Sequence, residues 1–294
     1  MNLIAETAVR LLDDCHAFVL ATIVNRQGSA PRTAGTRMIV TADNRAVGTI
    51  GGGLLEARII ETAGDVLSSR RPQVVSFDMT QSELATMDMV CGGRIEVLLE
   101  LIVPGTAAAV VLKSWREAQS EPEGCFFLTE LRFDRDRLKG LGHALLKNRR
   151  MACGELSLSP STVEQLAHDH GHATRLRAVT CAESLLLIDP VPPLETVYLF
   201  GAGHVAQPTA RLAAFVGFRV RVVDDRAEFA NRERFPGADQ LIVGPYEELS
   251  QRISPGPQTY VVIATRGHEF DEQVLQQFLD CQAAYIGMIG SKVK

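Results

Sequence analysis

Residues 196–225 constrain this chain more than any other stretch. Thr196–Phe200 read as a short apolar strand, followed by Gly201-Ala202-Gly203-His204-Val205-Ala206. A helical run with Ala210, Leu212, Ala213 and Val216 comes next, then a second apolar strand, Arg219–Val223, ending in Asp224-Asp225. The turn matches G-x-G-x-x-A. Set between a strand and a helix, with an acidic pair about 20 residues on, it has the context of a dinucleotide-binding turn in a parallel sheet.

Each position has a physical reason. Gly201 permits the tight turn, Gly203 lets the backbone approach a phosphate, and Ala206 lets the helix pack on the strand. The helix start adds free N–H groups and partial positive charge. Asp224 or Asp225 could accept a ribose hydroxyl. Both would repel a 2′-phosphate, so a bound dinucleotide is expected to lack one, although Arg226 could pair with such a phosphate. His204 stands where a small or apolar residue is usual. An NAD(P) site, an unusual phosphate ligand and a Rossmann-like domain without nucleotide all remain open on these residues.

Further strands read at Gln240–Val243, Tyr260–Ala264 and Ala284–Met288, with helical segments between most of them. That alternation means a parallel sheet with covered faces. Ligands of such sheets bind beyond the carboxyl ends of the strands. Arg266 and His268 are therefore expected in the same crevice as His204, with Ser291 of Gly290-Ser291-Lys292 beside them. Asp271 could equally serve as a helix cap.

The whole reads as an α/β protein. An α+β N-terminal domain occupies residues 1–103, a middle segment and linker residues 104–193, and a Rossmann-like parallel-sheet domain residues 194–294. In the first, Thr49-Ile50-Gly51-Gly52-Gly53 joins a strand to a helix. Three consecutive glycines imply positive φ or close backbone approach, and at a helix start they form a second anion site. Glu56 lies one turn in, and Arg32 and Arg37 flank the preceding loop, where they could neutralise a phosphate. The competing reading is a tight turn packed on its neighbour. Cys91-Gly92-Gly93 precedes the strand Arg94–Val103. A thiolate at Cys91 could hold a soft metal or accept sulfur; a small buried hydrophobe is the equal alternative.

In the middle segment a helix reads at Val110–Ala118 and strands at Cys125–Leu131 and Glu183–Ile188, followed by a stiff linker at Pro190, Pro192 and Pro193. His168, His170 and His172 could bind a metal if their segment were a strand, but a solvated loop accounts for them more simply.

Composition removes several classes. With 46% hydrophobic and 22% charged residues the chain is globular rather than disordered. A net charge of −5 argues against nucleic acid as a partner. No apolar run reaches membrane-spanning length, and the N-terminus shows no leader pattern. The 6 cysteines include no C-x-x-C, so no zinc ribbon is read. A cytoplasmic protein with free thiols is expected.

Seven segments together resemble one family. They are Gly28-Ser29-Ala30-Pro31-Arg32 with Gly35, Gly48-Thr49-Ile50-Gly51-Gly52-Gly53-Leu54-Leu55-Glu56, Cys91-Gly92-Gly93, Phe200–Ala206, Val223-Asp224-Asp225-Arg226, Thr265–His268 and Tyr285–Lys292. In this order they resemble the XdhC/CoxI family of xanthine dehydrogenase accessory proteins. The resemblance implies a maturation factor or chaperone rather than an enzyme. Such a protein binds molybdenum cofactor (molybdopterin or its dinucleotide form) and protects it while a cysteine desulfurase supplies the sulfido ligand. It then helps insert the cofactor into a xanthine dehydrogenase-type molybdenum hydroxylase. On that basis Cys91 is the candidate for molybdenum or sulfur contact. Arg32, Gly51, Gly52, Gly53, Glu56, Gly201, Gly203, His204, Asp224, Asp225, Arg266, His268 and Ser291 are candidates for cofactor binding. A homodimer is expected. The resemblance also implies further helix and strand beyond Lys294, so the last domain is expected to lack a segment. The rival readings are an NAD(P)-dependent oxidoreductase, with His268 as its acid–base group, and a nucleotide-binding regulatory protein.

Overall fold

The computed structural model describes residues 3–78, 93–119, 124–135, 137–170, 174–181 and 183–290. Cys91, His172 and Ser291 lie outside them. Two compact units divide the chain, residues 2–192 and residues 193–294. Among the described residues no helix is long and apolar enough to cross a membrane.

The first unit contains α1 (Leu3–Asp13), β1 (Phe18–Gln27), β2 (Arg37–Thr41), β3 (Ala46–Gly48), α2 (Gly53–Ser69), β4 (Gln73–Asp78) and β5 (Arg94–Ile102). It continues with α3 (Ala107–Ala118), β6 (Cys125–Asp134), β7 (Arg137–Lys147), β8 (Arg150–Glu155), α4 (Pro160–Asp169), β9 (Arg177–Cys181) and β10 (Ser184–Val191). The strands form two five-stranded sheets, β3-β2-β1-β5-β4 and β8-β7-β6-β10-β9, with every pairing antiparallel.

Side chains alternate across a strand, so each sheet has two faces to fill. Val19, Ala21 and Ile23 of β1 pack on Leu55, Ile59, Ala63 and Val66 of α2. Phe18, Leu20 and Val24 point the other way, into clusters shared with Phe127, Leu131, Leu145 and Leu187 of the second sheet. The outer face of that sheet, with Leu128, Leu146, Leu186 and Ile188, packs on Val163 and Ala167 of α4. The layers therefore run helix, sheet, sheet, helix. This explains why residues 18–24 of β1 are buried on both faces despite its antiparallel neighbours.

A polar layer crosses the interior between these sheets. His143 Nε2 lies 2.6 Å from Glu100 Oε2, and both side chains are only 6% exposed. Thr129 Oγ1 sits 3.2 Å from His143 Nδ1. Arg37 Nη1 pairs with Asp189 Oδ2 at 2.7 Å, its guanidinium lying against the rings of both Trp115 and Phe127. Arg37 is thus an interior residue, not the phosphate ligand that its nearness to the 28–32 loop implies.

The middle segment holds more structure than its pattern shows. β7, β8, β9 and α4 are all additional. Pro190 lies within β10 opposite Phe126, where a linker is expected. Pairing of β10 with β9 ends at Ile188, so the missing N–H of Pro190 removes no ladder bond on that edge. His168 lies in the last turn of α4 and His170 caps it, which removes the strand geometry needed to align histidines.

The second unit runs β11 (Thr196–Phe200), α5 (Ala206–Val216), β12 (Arg219–Asp224), β13 (Gln240–Val243), a 3₁₀ turn, α6 (Leu249–Arg252), β14 (Thr259–Ile263), α7 (His268–Phe278) and β15 (Tyr285–Met288). Its strands are parallel, in the order β13-β12-β11-β14-β15. The strand order reverses between β11 and β14, the switch point at which such sheets open a crevice. Every strand read from this part of the sequence is present.

Candidate functional site

Three of the sequence motifs meet in the first unit. A Cβ on Gly51 would lie 2.9 Å from Pro31 Cγ. One on Gly93 would lie 2.3 Å from the Ser29 carbonyl oxygen and 2.6 Å from that of Gln27. The 28–32 loop is therefore clasped between the glycine triplet and the start of β5. Arg32 is exposed on that loop. Cys91 precedes Gly93 by two residues, outside the described segment.

The triplet is a strained helix entry. Gly52, at φ 82 and ψ 177, is the N-cap of α2, in a region only glycine occupies readily. Its N–H donates to Glu56 Oε1 at 2.9 Å, and the Thr49 hydroxyl donates to the same oxygen. Gly51 N–H donates to Thr49 Oγ1 at 3.2 Å. Glu56 thus closes the loop from within, and an anion arriving here competes with its carboxylate. A Cβ on Gly52 would meet nothing within 4 Å, so the loop's outer face is open. Gly52→Val should therefore fold, at a cost of about 1–3 kcal/mol from backbone strain. Urea denaturation of the variant against wild type checks this.

In the second unit the carboxyl ends of β11, β12 and β14 lie side by side. A Cβ on Gly201, at φ 102, would fall 2.1 Å from the Ala264 carbonyl oxygen, so close approach dictates glycine. Gly203 has open space where a Cβ would project. The N-terminus of α5 has no side-chain cap. His204 and His268 are exposed beside their helix starts. Asp271 is buried and accepts from Thr265 N–H (2.9 Å) and the Thr265 hydroxyl (2.6 Å), holding the 265–268 loop.

Asp224 does not present a carboxylate to a ribose. It is 0% exposed. Its Oδ2 accepts from Ala202 N–H at 2.7 Å and Arg226 Nη2 at 3.2 Å. Its Oδ1 accepts from Arg226 N–H at 3.0 Å and Nε at 2.9 Å. Burial pushes this carboxyl up, but the hydrogen bonds from Arg226 and Ala202 outweigh it and hold it below the usual carboxylate range. Asp225 Oδ2 pairs with Arg266 Nη2 at 2.8 Å. Arg234 donates to the Ala202 carbonyl at 3.1 Å. Arg226 and Arg234 both stack on Phe229, and Arg266 stacks on Phe270. The sequence points to Arg226 through its place after the acidic pair. Nothing local marks Arg234, eight residues further on in an irregular segment.

Among the described residues, no group of three or more His, Cys, Asp or Glu side chains could hold a metal ion.

Comparison with known proteins decides the family. A model described as the XdhC and CoxI family matches residues 11–78, and one described as the XdhC Rossmann domain matches residues 197–294. The chain belongs to the XdhC/CoxI family. Both matched stretches carry glycine turns, and the strands of the second sheet, β6 to β10, fall between them in sequence. A Bacillus subtilis relative, named as a probable subunit of xanthine dehydrogenase, is 28% identical over 286 residues, covering 96% of this chain and 82% of its own. The uncharacterized protein YqeB of Escherichia coli is 23% identical across 100% of this chain but only 37% of its own length. A solved Bacillus halodurans structure, described as a xanthine dehydrogenase, superposes with a TM-score of 0.77 at 24% identity. It covers 97% of this chain and 82% of that one, and shows the fold.

Proposed function

We propose that this XdhC/CoxI-family chain is a maturation factor for a xanthine dehydrogenase-type molybdenum hydroxylase. It binds molybdenum cofactor, shelters it during sulfuration by a cysteine desulfurase, and passes it to the apo-enzyme. The observation that carries this reading is the meeting of the 28–32 loop, the Gly51–Gly53 entry to α2 and Gly93 in one place. Close packing on the 28–32 loop dictates Gly51 and Gly93, and it leaves the open face of Gly52 and the exposed Arg32 as the groups that meet an anionic ligand.

Each unit, taken by itself, offers residues that suit one chemical feature of such a ligand. The uncapped start of α5, the open face of Gly203 and the neighbouring guanidinium groups suit a phosphate or nucleotide end. The cofactor supplies the molybdenum centre on which the recipient enzyme works. Cys91, two residues before Gly93, is the residue assigned to that end, through the softness of a thiolate. The role is binding and transfer, so no acid–base group is required of this chain.

The test is anaerobic co-expression with the molybdopterin pathway, then molybdenum and pterin analysis of the purified protein. Cys91→Ser should keep the fold by circular dichroism and lower activation of the partner hydroxylase to near background. A variant that still loads and activates normally would remove Cys91 from the mechanism.

A further inference from the structure

The acidic pair at the end of β12 makes the sequence look hostile to a phosphate on the ribose. The structure neutralises that charge. Asp224 is sealed beneath the turn, with both oxygens held by Ala202 N–H and Arg226. Asp225 lies between Arg226 Nε at 3.4 Å and Arg266 Nη2 at 2.8 Å. The group that reaches solvent most is the Arg266 guanidinium: its side chain is 44% exposed, against 23% for Arg226 and 20% for Asp225.

We propose that this corner takes a phosphate monoester of a ligand lying across the Gly201–Gly203 turn. The proposal rests on reading the Rossmann crevice as the nucleotide or phosphate end of the site. Three features support it. First, in dinucleotide-binding sheets the end of the second strand meets the ribose; a free carboxylate there accepts hydroxyls, whereas an arginine accommodates a 2′-phosphate. Second, a guanidinium has five N–H donors. Asp225 engages one nitrogen of Arg266, and Asp224 engages two of Arg226, so both retain donors for a second anion. Third, both forks are already positioned. Arg226 Cζ lies 3.8 Å from the Phe229 centroid and Arg266 Cζ 4.6 Å from that of Phe270, which reduces the ordering cost of bidentate binding.

The corner is also tied mechanically to the turn. Asp224 connects Ala202 N–H to Arg226, and Arg234 holds the Ala202 carbonyl from the other side. A ligand seated on the turn is therefore presented to Arg226 without rearrangement of β12.

Calorimetric titration of the purified full chain with NADP+, NAD+, 2′-AMP and 5′-AMP tests this. NADP+ should bind roughly tenfold or more tightly than NAD+. Arg266→Gln, a half-exposed position, should remove the preference by weakening NADP+ binding more than NAD+ binding, and Arg266→Lys should restore part of it. If 2′-AMP binds more tightly than 5′-AMP, the monoester belongs to a nucleotide ribose. The reverse order, also lost in Arg266→Gln, assigns it to a terminal phosphate such as that of unextended molybdopterin. Either order supports the site. Equal binding of NADP+ and NAD+, with neither AMP isomer sensitive to Arg266, makes the corner a structural ion-pair cluster; the inference then falls while the nucleotide reading stands. Failure of all four probes to bind overturns the nucleotide reading of the crevice, and the inference with it.

Discussion

Replacing His143 by leucine should cost about 3–5 kcal/mol of folding stability, the penalty of stranding a buried charge. The charge is Glu100, which faces His143 across the interior of the sandwich at 2.6 Å. Leucine fills the space beside Phe127 but offers no donor. Glu100→Leu alone should cost less, because an imidazole can remain neutral and still bond Thr129. The double variant, Glu100→Leu with His143→Leu, should recover much of the loss, since an apolar pair of similar volume meets no desolvation penalty. Urea denaturation of the three variants forms a double-mutant cycle. Simple additivity would show that the two groups are not coupled.

Asp224→Ala should be comparably damaging, by about 3 kcal/mol, with a different signature. It releases Ala202 N–H and leaves Arg226 without its bidentate partner, so the glycine turn and the end of β12 lose their common anchor. The effect should depend on pH. The folded-state carboxyl is held below its ordinary value. Its stabilising contribution is therefore complete above the unfolded pKa of about 4 and is lost as pH falls through the lower folded value. Wild type should exceed Asp224→Asn in urea midpoint at pH 7, and the gap should narrow as pH drops below 4. A gap independent of pH would mean that the carboxylate charge contributes nothing.

The Rossmann unit is the most legible part of the sequence because its signals are local. Strands of four to six residues alternate with helices, and the spacing of Gly201, Gly203 and Ala206 marks the turn, although it is the distant Ala264 carbonyl that dictates Gly201. The first unit is legible only in part: β5, β6 and β10 report themselves as apolar runs and α3 as a helix, whereas other strands do not. β7 and β8 carry Gly140, Gly142 and Gly154, which depress strand propensity. They are held instead by pairing with β6 and with each other. Arg37 shows the same limit at a single residue. Beside a glycine-rich loop it reads as a phosphate ligand, and only its partnership with Asp189, from a strand far along the chain, makes it part of the core. Asp224 is the converse case. Spacing marks its position, but Arg226 and Ala202 set its orientation.

The order of the first sheet has a consequence for how the chain is made. β1 is central, and its partner on one side is β5, with Phe18 opposite Ile102. At synthesis rates of roughly 5–20 residues per second, the interval between emergence of the two strands is on the order of 5–15 s. During that time β2 can pair with one edge of β1 and α2 can cover one face, while the other edge and the face that meets the second sheet await chain that does not yet exist. Such an edge is a template for intermolecular pairing. The nascent first unit is therefore the stage at which this protein depends most on chaperones, and overexpression should fail there before the Rossmann unit is translated.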